Sequence, residues 1–220
     1  DNEKMMISKL KGECGVQFTS KMEGMLKDLS VGTQQRQEFK DHMRDTDLSI
    51  DFGVQVLTSG FWPTYKSPEV TLTDDMTQCM DVFSKWHDTK HQKRKLAWIF
   101  TQGNASVRGT FGKHTYDMQV TTLQAIALEA LSGGVTLGFE ELAQRLNLAP
   151  EILRPLLHSL SCGKYKVISK TPANNKISAT DTFTANPKFK TIMRKIRIPM
   201  ASLDASFSAK NVQEDRTFTI

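Results

Sequence analysis

The sequence predicts an α+β chain built from three parts: the end of a helical bundle, a small mostly antiparallel sheet carrying one helix, and a winged helix. Two changes of hydrophobic period carry this prediction. Apolar residues recur every three or four positions to about residue 44, every second position through much of 52–120, and every three or four again from Thr122. The third observation is punctuation. Gly60, Pro63, Gly112-Lys113, Gly133-Gly134 and Asn147 to Pro150 stand at the joins.

Composition sets the frame for these parts. The chain has 220 residues, 39% hydrophobic and 24% charged, which describes a folded globular sequence. No window approaches the ~18 consecutive apolar residues of a membrane helix, and no stretch has the order of an export signal. Cys14, Cys79 and Cys162 are far apart and odd in number, so they form no disulfide framework and no zinc-type pair. A reducing, intracellular setting is the expectation. The net charge of 29 − 24 = +5 permits an acidic partner without naming one.

Along the first thirty residues Ile7, Leu10, Cys14, Phe18, Met22, Met25 and Leu29 share one helical face. Gly12, Gly15 and Gly24 weaken that helix, so packing must hold it. Its stripe needs partner helices that the rest of the sequence hardly supplies, which suggests a larger bundle begun upstream. A short helix follows over Thr33 to Arg44, with Phe39 and Met43 as its apolar pair.

From Asp51 the period is two. Phe52, Val54 and Val56 alternate with Gly53 and Gln55 as a strand, and Gly60-Phe61-Trp62-Pro63 makes a turn. Thr73 caps a helix with Asp74 and Asp75 in its first turn and an apolar face of Met76, Cys79, Met80, Phe83 and Trp86. Leu96, Trp98 and Phe100 alternate in the next strand, Val107 and Phe111 mark another, and Tyr116, Met118 and Val120 a third. Gly103-Asn104 and Gly112-Lys113 are the hairpin signals between them.

From Thr122 the pattern is a helix to Leu131, a Gly133-Gly134 stop, a helix from Phe139 to Leu146 and a third opening on Pro150. Two β-like runs, Lys166 to Lys170 and Thr182 to Ala185, flank a polar hairpin. Three helices and a β-wing make a winged helix. The residues from Pro199 read as a linker.

No residue set reads as catalytic. There is no G-x-S-x-G, no phosphate loop and no dinucleotide fingerprint. Cys14 and Cys79 lie on apolar stripes and read as buried thiols. His87 and His91 stand four apart, but the spacing offers no third ligand, so they read as exposed histidines at a helix end and no metal or cofactor is expected. The third helix of the winged part carries Arg154 as essentially its one groove-reading side chain, and Pro155 interrupts its amides. Nucleic-acid binding is therefore the alternative and not the leading reading. Two basic clusters remain. One is Lys85 to Lys95; the other interleaves Lys190, Arg194, Lys195 and Arg197 with Ile192, Ile196 and Ile198. Each is a solvated face or a surface for an acidic partner.

The wording of several stretches resembles one family. Met6 to Lys11 with Cys14-Gly15, Phe18 to Met25, Val56-Leu57-Thr58-Ser59-Gly60-Phe61-Trp62-Pro63, Arg94 to Trp98, Leu156 to Leu160 and Arg194-Lys195-Ile196-Arg197-Ile198-Pro199 occur in the order found in the C-terminal half of cullins, the scaffolds of cullin–RING ubiquitin ligases. The wording is most similar to the cullins that serve Skp and F-box adaptors, in particular those of plants. The resemblance implies residues 1–46 as the end of a four-helix bundle, 47–120 as the α/β sheet, 121–198 as a winged helix and 199–220 as a linker. It further implies a non-catalytic scaffold, working in cytoplasm and nucleus. A RING-box protein would insert a strand against Phe52, Val54 and Val56 and against Leu96, Trp98 and Phe100. A ubiquitin-conjugating enzyme would be held through that partner, its acidic tail drawn to Arg194, Lys195 and Arg197, and a cullin-associated exchange factor is a further partner. The family continues into a second winged helix bearing a modified lysine, which the resemblance places after Ile220. Pro155 and Gly133-Gly134-Val135 depart from the family pattern.

Overall fold

The N-terminal stripe folds as two helices, α1 (Asn2–Cys14) and α2 (Val16–His42), where the periodicity predicted one long helix and a separate short one. Gly15 breaks the first. It sits at φ 84°, a left-handed backbone that glycine adopts without steric cost. The expected second break near Thr33 does not occur, because no proline or turn sequence interrupts the ladder and α2 runs on for 27 residues. The structure, a computed structural model, describes residues 2–44, 48–65 and 67–200. The linker expected over 199–220 therefore lies almost wholly outside the described residues.

The chain divides into two compact bodies, one of residues 1–64 with 73–96, the other of 65–72 with the chain from 97 onward. In the first body α1 and α2 pack together, pinned at the surface by Lys11 and Glu23, 3.0 Å apart. The third helix, α3 (Asp74–Lys90), starts as the sequence predicts. The Thr73 hydroxyl accepts the Met76 N–H, a cap contributing about 1 kcal/mol. Cys79, Phe83 and Trp86 are buried on its inner face. Phe39 of α2 joins them edge-on, its ring 5.0 Å from Phe83 and 5.2 Å from Trp86.

Gly24 and Gly32 show why α2 tolerates glycines. A Cβ on Gly24 would stand 2.4 Å from the Phe61 ring, and one on Gly32 2.1 Å from the Gln55 amide. Bare helix backbone lets the 48–64 segment lie directly on α2.

In the second body β1 (Asn104–Phe111) and β2 (His114–Thr121) form the predicted hairpin, closed by Gly112-Lys113 with Gly112 at φ 60°. Gly103-Asn104, predicted as a second hairpin turn, instead ends a single 3-10 turn (Phe100–Gln102) and leads into β1. A short strand from the chain's far end, β6 (Lys195–Arg197), adds in parallel to β2, pairing Met118 with Ile196. Sheet order is β1-β2-β6.

The remaining helices fall where the periodicity puts them: α4 (Thr122–Ala130), α5 (Phe139–Leu146) and α6 (Pro150–Ser161). Gly133 and Gly134, at φ 69° and 79°, turn the chain after α4. The two β-runs appear as β4 (Ile168–Thr171) and β5 (Thr182–Ala185), and a strand the sequence reading missed, β3 (Thr136–Gly138), completes an antiparallel sheet of order β3-β5-β4. Its three residues are too few for a visible period. Leu123, Ile126, Leu131, Leu142, Leu153, Leu156, Leu157 and Leu160 fill the core with the fully buried Phe183. Pro155 leaves α6 unbroken. Buried Gln124 is satisfied on both sides: it completes the capping box with Thr121 and donates to Ser159 Oγ at 2.9 Å, tying α4 to α6.

Candidate functional site

Phe52, Val54 and Val56 do not form a strand, and burial alternates only as far as Val54, since Gln55 and Leu57 are half-buried as well. Residues 51–58 have no regular secondary structure, and all three apolar side chains are half-buried. A strand requires a laddered neighbour, and neither sheet of the described residues takes in this segment. Its position is nevertheless fixed at both ends. The Phe52 ring lies 6.5 Å from Phe39 and from Phe83, and the Asp28 carboxylate holds Thr58.

The second predicted strand meets the same correction. Leu96 ends the first body, while Trp98 and Phe100 belong to the second. All three are half-buried, alternating with exposed Ala97 between Leu96 and Trp98, and the segment joins neither sheet. Ile99 is extended, at φ −118° and ψ 91°, and the Phe100 N–H donates to Ser67 Oγ at 3.0 Å. The six residues thus form two half-buried apolar runs outside any ladder.

The basic residues Arg194, Lys195 and Arg197 are exposed around β6. Alternation explains two of them: Ile196 and Ile198 are 3% exposed and face inward, so Lys195 and Arg197 face water, while Arg194 is exposed just before the strand begins. The Arg194 carbonyl accepts the Asp117 N–H at 2.8 Å, which anchors the start of the strand. Ile192, grouped by sequence with Ile196 and Ile198, is instead wholly exposed. In the other basic cluster, Lys90 pairs with Glu38 and lies 4.9 Å over the Trp86 ring, leaving Lys85, Lys93, Arg94 and Lys95 exposed.

Of the single-residue expectations, Cys79 holds while Cys14 and His87 change. Cys79 is fully buried, with burial and then nearby Asp75 raising its thiol pKa, which suits a core thiol and not a nucleophile. Cys14 is exposed, because Gly15 turns the chain immediately after it. His87 is buried where an exposed histidine was predicted; it follows Trp86 at the end of the aromatic face. The exposed residues of α6 include Glu151, Arg154 and His158, and the Arg154 guanidinium rests 5.6 Å from the centroid of Phe139. One acid, one histidine and an engaged arginine do not assemble a groove-reading face. Among the described residues no group of three or more His, Cys, Asp or Glu could hold a metal, and no helix is long and apolar enough to cross a membrane. The Asp28 clamp and the buried Lys170–Asp181 pair were missed, since each joins residues whose partners no local period identifies.

Comparison with known proteins agrees with the segment order. A family model described as the Cullin alpha+beta domain matches residues 56–189, and one described as the Cullin alpha solenoid domain matches residues 1–35. Among curated relatives, Cullin-2 of Arabidopsis thaliana is 40% identical over 223 aligned residues, covering 100% of this chain and 30% of the relative. Cullin-1 of Oryza sativa subsp. japonica is 38% identical with the same two coverages. Human Cullin-4A is 36% identical over 99% of this chain and 29% of its own length. The chain thus spans about 30% of the length of these relatives. With the alpha+beta model matching well over half of its residues, this chain belongs to the cullin family.

Proposed function

We propose that the chain serves as scaffold in a cullin–RING ubiquitin ligase and docks a RING-box protein at Phe52, Val54 and Val56 and at Leu96, Trp98 and Phe100. The observation that carries this reading is the pair of half-buried, period-two segments that join no sheet. A strand supplied by a partner would satisfy backbone groups along such a segment while its apolar side chains complete the burial of these six. Family membership supports a scaffold role in a ubiquitin ligase.

The scaffold's contribution is position and not chemistry. The RING-box partner holds a ubiquitin-conjugating enzyme, and proximity raises the effective concentration of activated ubiquitin at a bound substrate. Arg194, Lys195 and Arg197 would draw an acidic segment of that enzyme by an attraction that weakens as salt rises. A cullin-associated exchange factor is a further partner in this reading, and the work takes place in cytoplasm and nucleus. Co-expression with a RING-box protein tests the reading. The pair co-purifies, and Val54→Asp with Val56→Asp abolishes co-purification. Failure of a well-folded wild-type chain to retain the partner overturns it.

A further inference from the structure

His87 lies near the C-terminal end of α3 with 1% of its surface exposed, and neither ring nitrogen has a hydrogen-bond partner among the described residues. Buried polar side chains are normally satisfied, so this imidazole calls for an explanation. Its ring stacks on Phe83 at 6.1 Å and 28°, and the His91 ring is 4.7 Å away. Phe83 in turn meets Phe39, Trp86 and Phe52.

The surrounding charges do not welcome a proton. On α3, Asp88 Oδ1 stands 3.9 Å from His87 Nδ1, beyond hydrogen-bond reach, and its side chain is exposed. Lys90 is cationic and already paired with Glu38 of α2. His91 closes the helix with Nε2 3.4 Å from the Gln35 amide nitrogen of α2, and Arg94 follows in the next segment. Burial foremost, then the His91 and Arg94 charges, hold the His87 imidazole below its usual 6.5 against the pull of Asp88.

We propose that the His87–His91 pair is an acid-operated latch: proton uptake by His87 drives its ring out from beside Phe83, releasing the C-terminal turn of α3 and loosening the aromatic cluster that seats Phe52. The sign follows from linkage. The closed state keeps His87 neutral, whereas the opened state takes up a proton at the ordinary value near 6.5. Opening therefore becomes more favourable as pH falls below about 6.5, approaching tenfold per pH unit for one proton, and is pH-independent well above it. The latch is internal to the first body and needs no partner.

NMR on the full chain with labelled histidine rings, combined with hydrogen exchange of residues 83–91 corrected for intrinsic rates, tests it between pH 7.5 and 5. The latch predicts a His87 ring that titrates below the ordinary value of 6.5. It also predicts that protection of 83–91 falls severalfold to tenfold per pH unit below 6.5, and that the Phe52 ring resonances shift in the same interval. His87→Phe should flatten the pH dependence. If that variant does not fold, His91→Gln, which leaves His87 in place, should raise the His87 titration point. His87 titrating at the ordinary value of 6.5 while protection holds, a pH dependence surviving in His87→Phe, or no shift in His91→Gln overturns the proposal.

Discussion

The Asp28 carboxylate accepts the Trp62 indole N–H at 2.8 Å and, from Thr58, the backbone N–H at 2.7 Å and the hydroxyl at 2.9 Å. One side chain of α2 thereby closes the turn at Gly60 and fixes the end of the Val54–Val56 segment. Asp28→Ala removes an ionised acceptor from three donors and should cost about 1.5–3 kcal/mol. Trp62→Phe loses one bond and should cost less. Denaturant unfolding of the two variants, followed by circular dichroism, checks the order; equal costs would show that the indole bond dominates the clamp.

Phe39 has 3% of its surface exposed and lies at the centre of the aromatic cluster. Phe39→Ala should destabilise the first body by about 3–5 kcal/mol through lost burial and the cavity left behind. Thermal unfolding shows whether the first body melts early while the second keeps its transition.

Gly24 makes a contrasting prediction, because here an added methyl is the defect. A Cβ would overlap the Phe61 ring, so Gly24→Ala should lose about 1–3 kcal/mol despite alanine's better helix propensity. A variant at Gly12, where nothing stands within 4 Å, should instead gain stability. The same pair of measurements separates propensity from packing.

These residues also show what was legible in the sequence. Local chemistry was: the Thr73 cap, the Gly112 turn and the Gly133-Gly134 stop each sit where their own side chains or backbone demand it. The strands at 52–56 and 96–100 were legible only as a period. Alternation records which side chains want burial, but a strand exists only within a ladder, and neither sheet of the described residues takes in these segments. Asp28 with Trp62 and Gln124 with Ser159 join positions 34 and 35 residues apart, beyond any helical or strand repeat. The residues proposed to dock a partner come from the family resemblance, and periodicity alone marks them as ordinary sheet core.

Lys170 and Asp181 form a buried ion pair, Nζ to Oδ2 2.8 Å, with side chains 3% and 1% exposed. Burial alone would push the Asp181 carboxyl up, but the Lys170 hydrogen bond, the Ser178 N–H and the lysine charge outweigh it and leave the carboxyl below the usual 3.8. The pair's pH-linked stability is therefore present above about pH 4 and is lost as pH falls through the lowered value. Asp181→Ala strands a buried ammonium and should cost about 3–5 kcal/mol, whereas replacing both partners by apolar residues should cost much less. A double-mutant cycle in denaturant reads the difference.

The segments at 52–56 and 96–100, which belong to neither sheet of the described residues, are proposed to receive a partner's strand. Hydrogen exchange of the chain with and without a purified RING-box protein measures this directly. The account predicts new amide protection confined mainly to residues 52–57 and 95–100, where a ladder forms on binding. A complex that forms while both segments exchange as fast as before would contradict it.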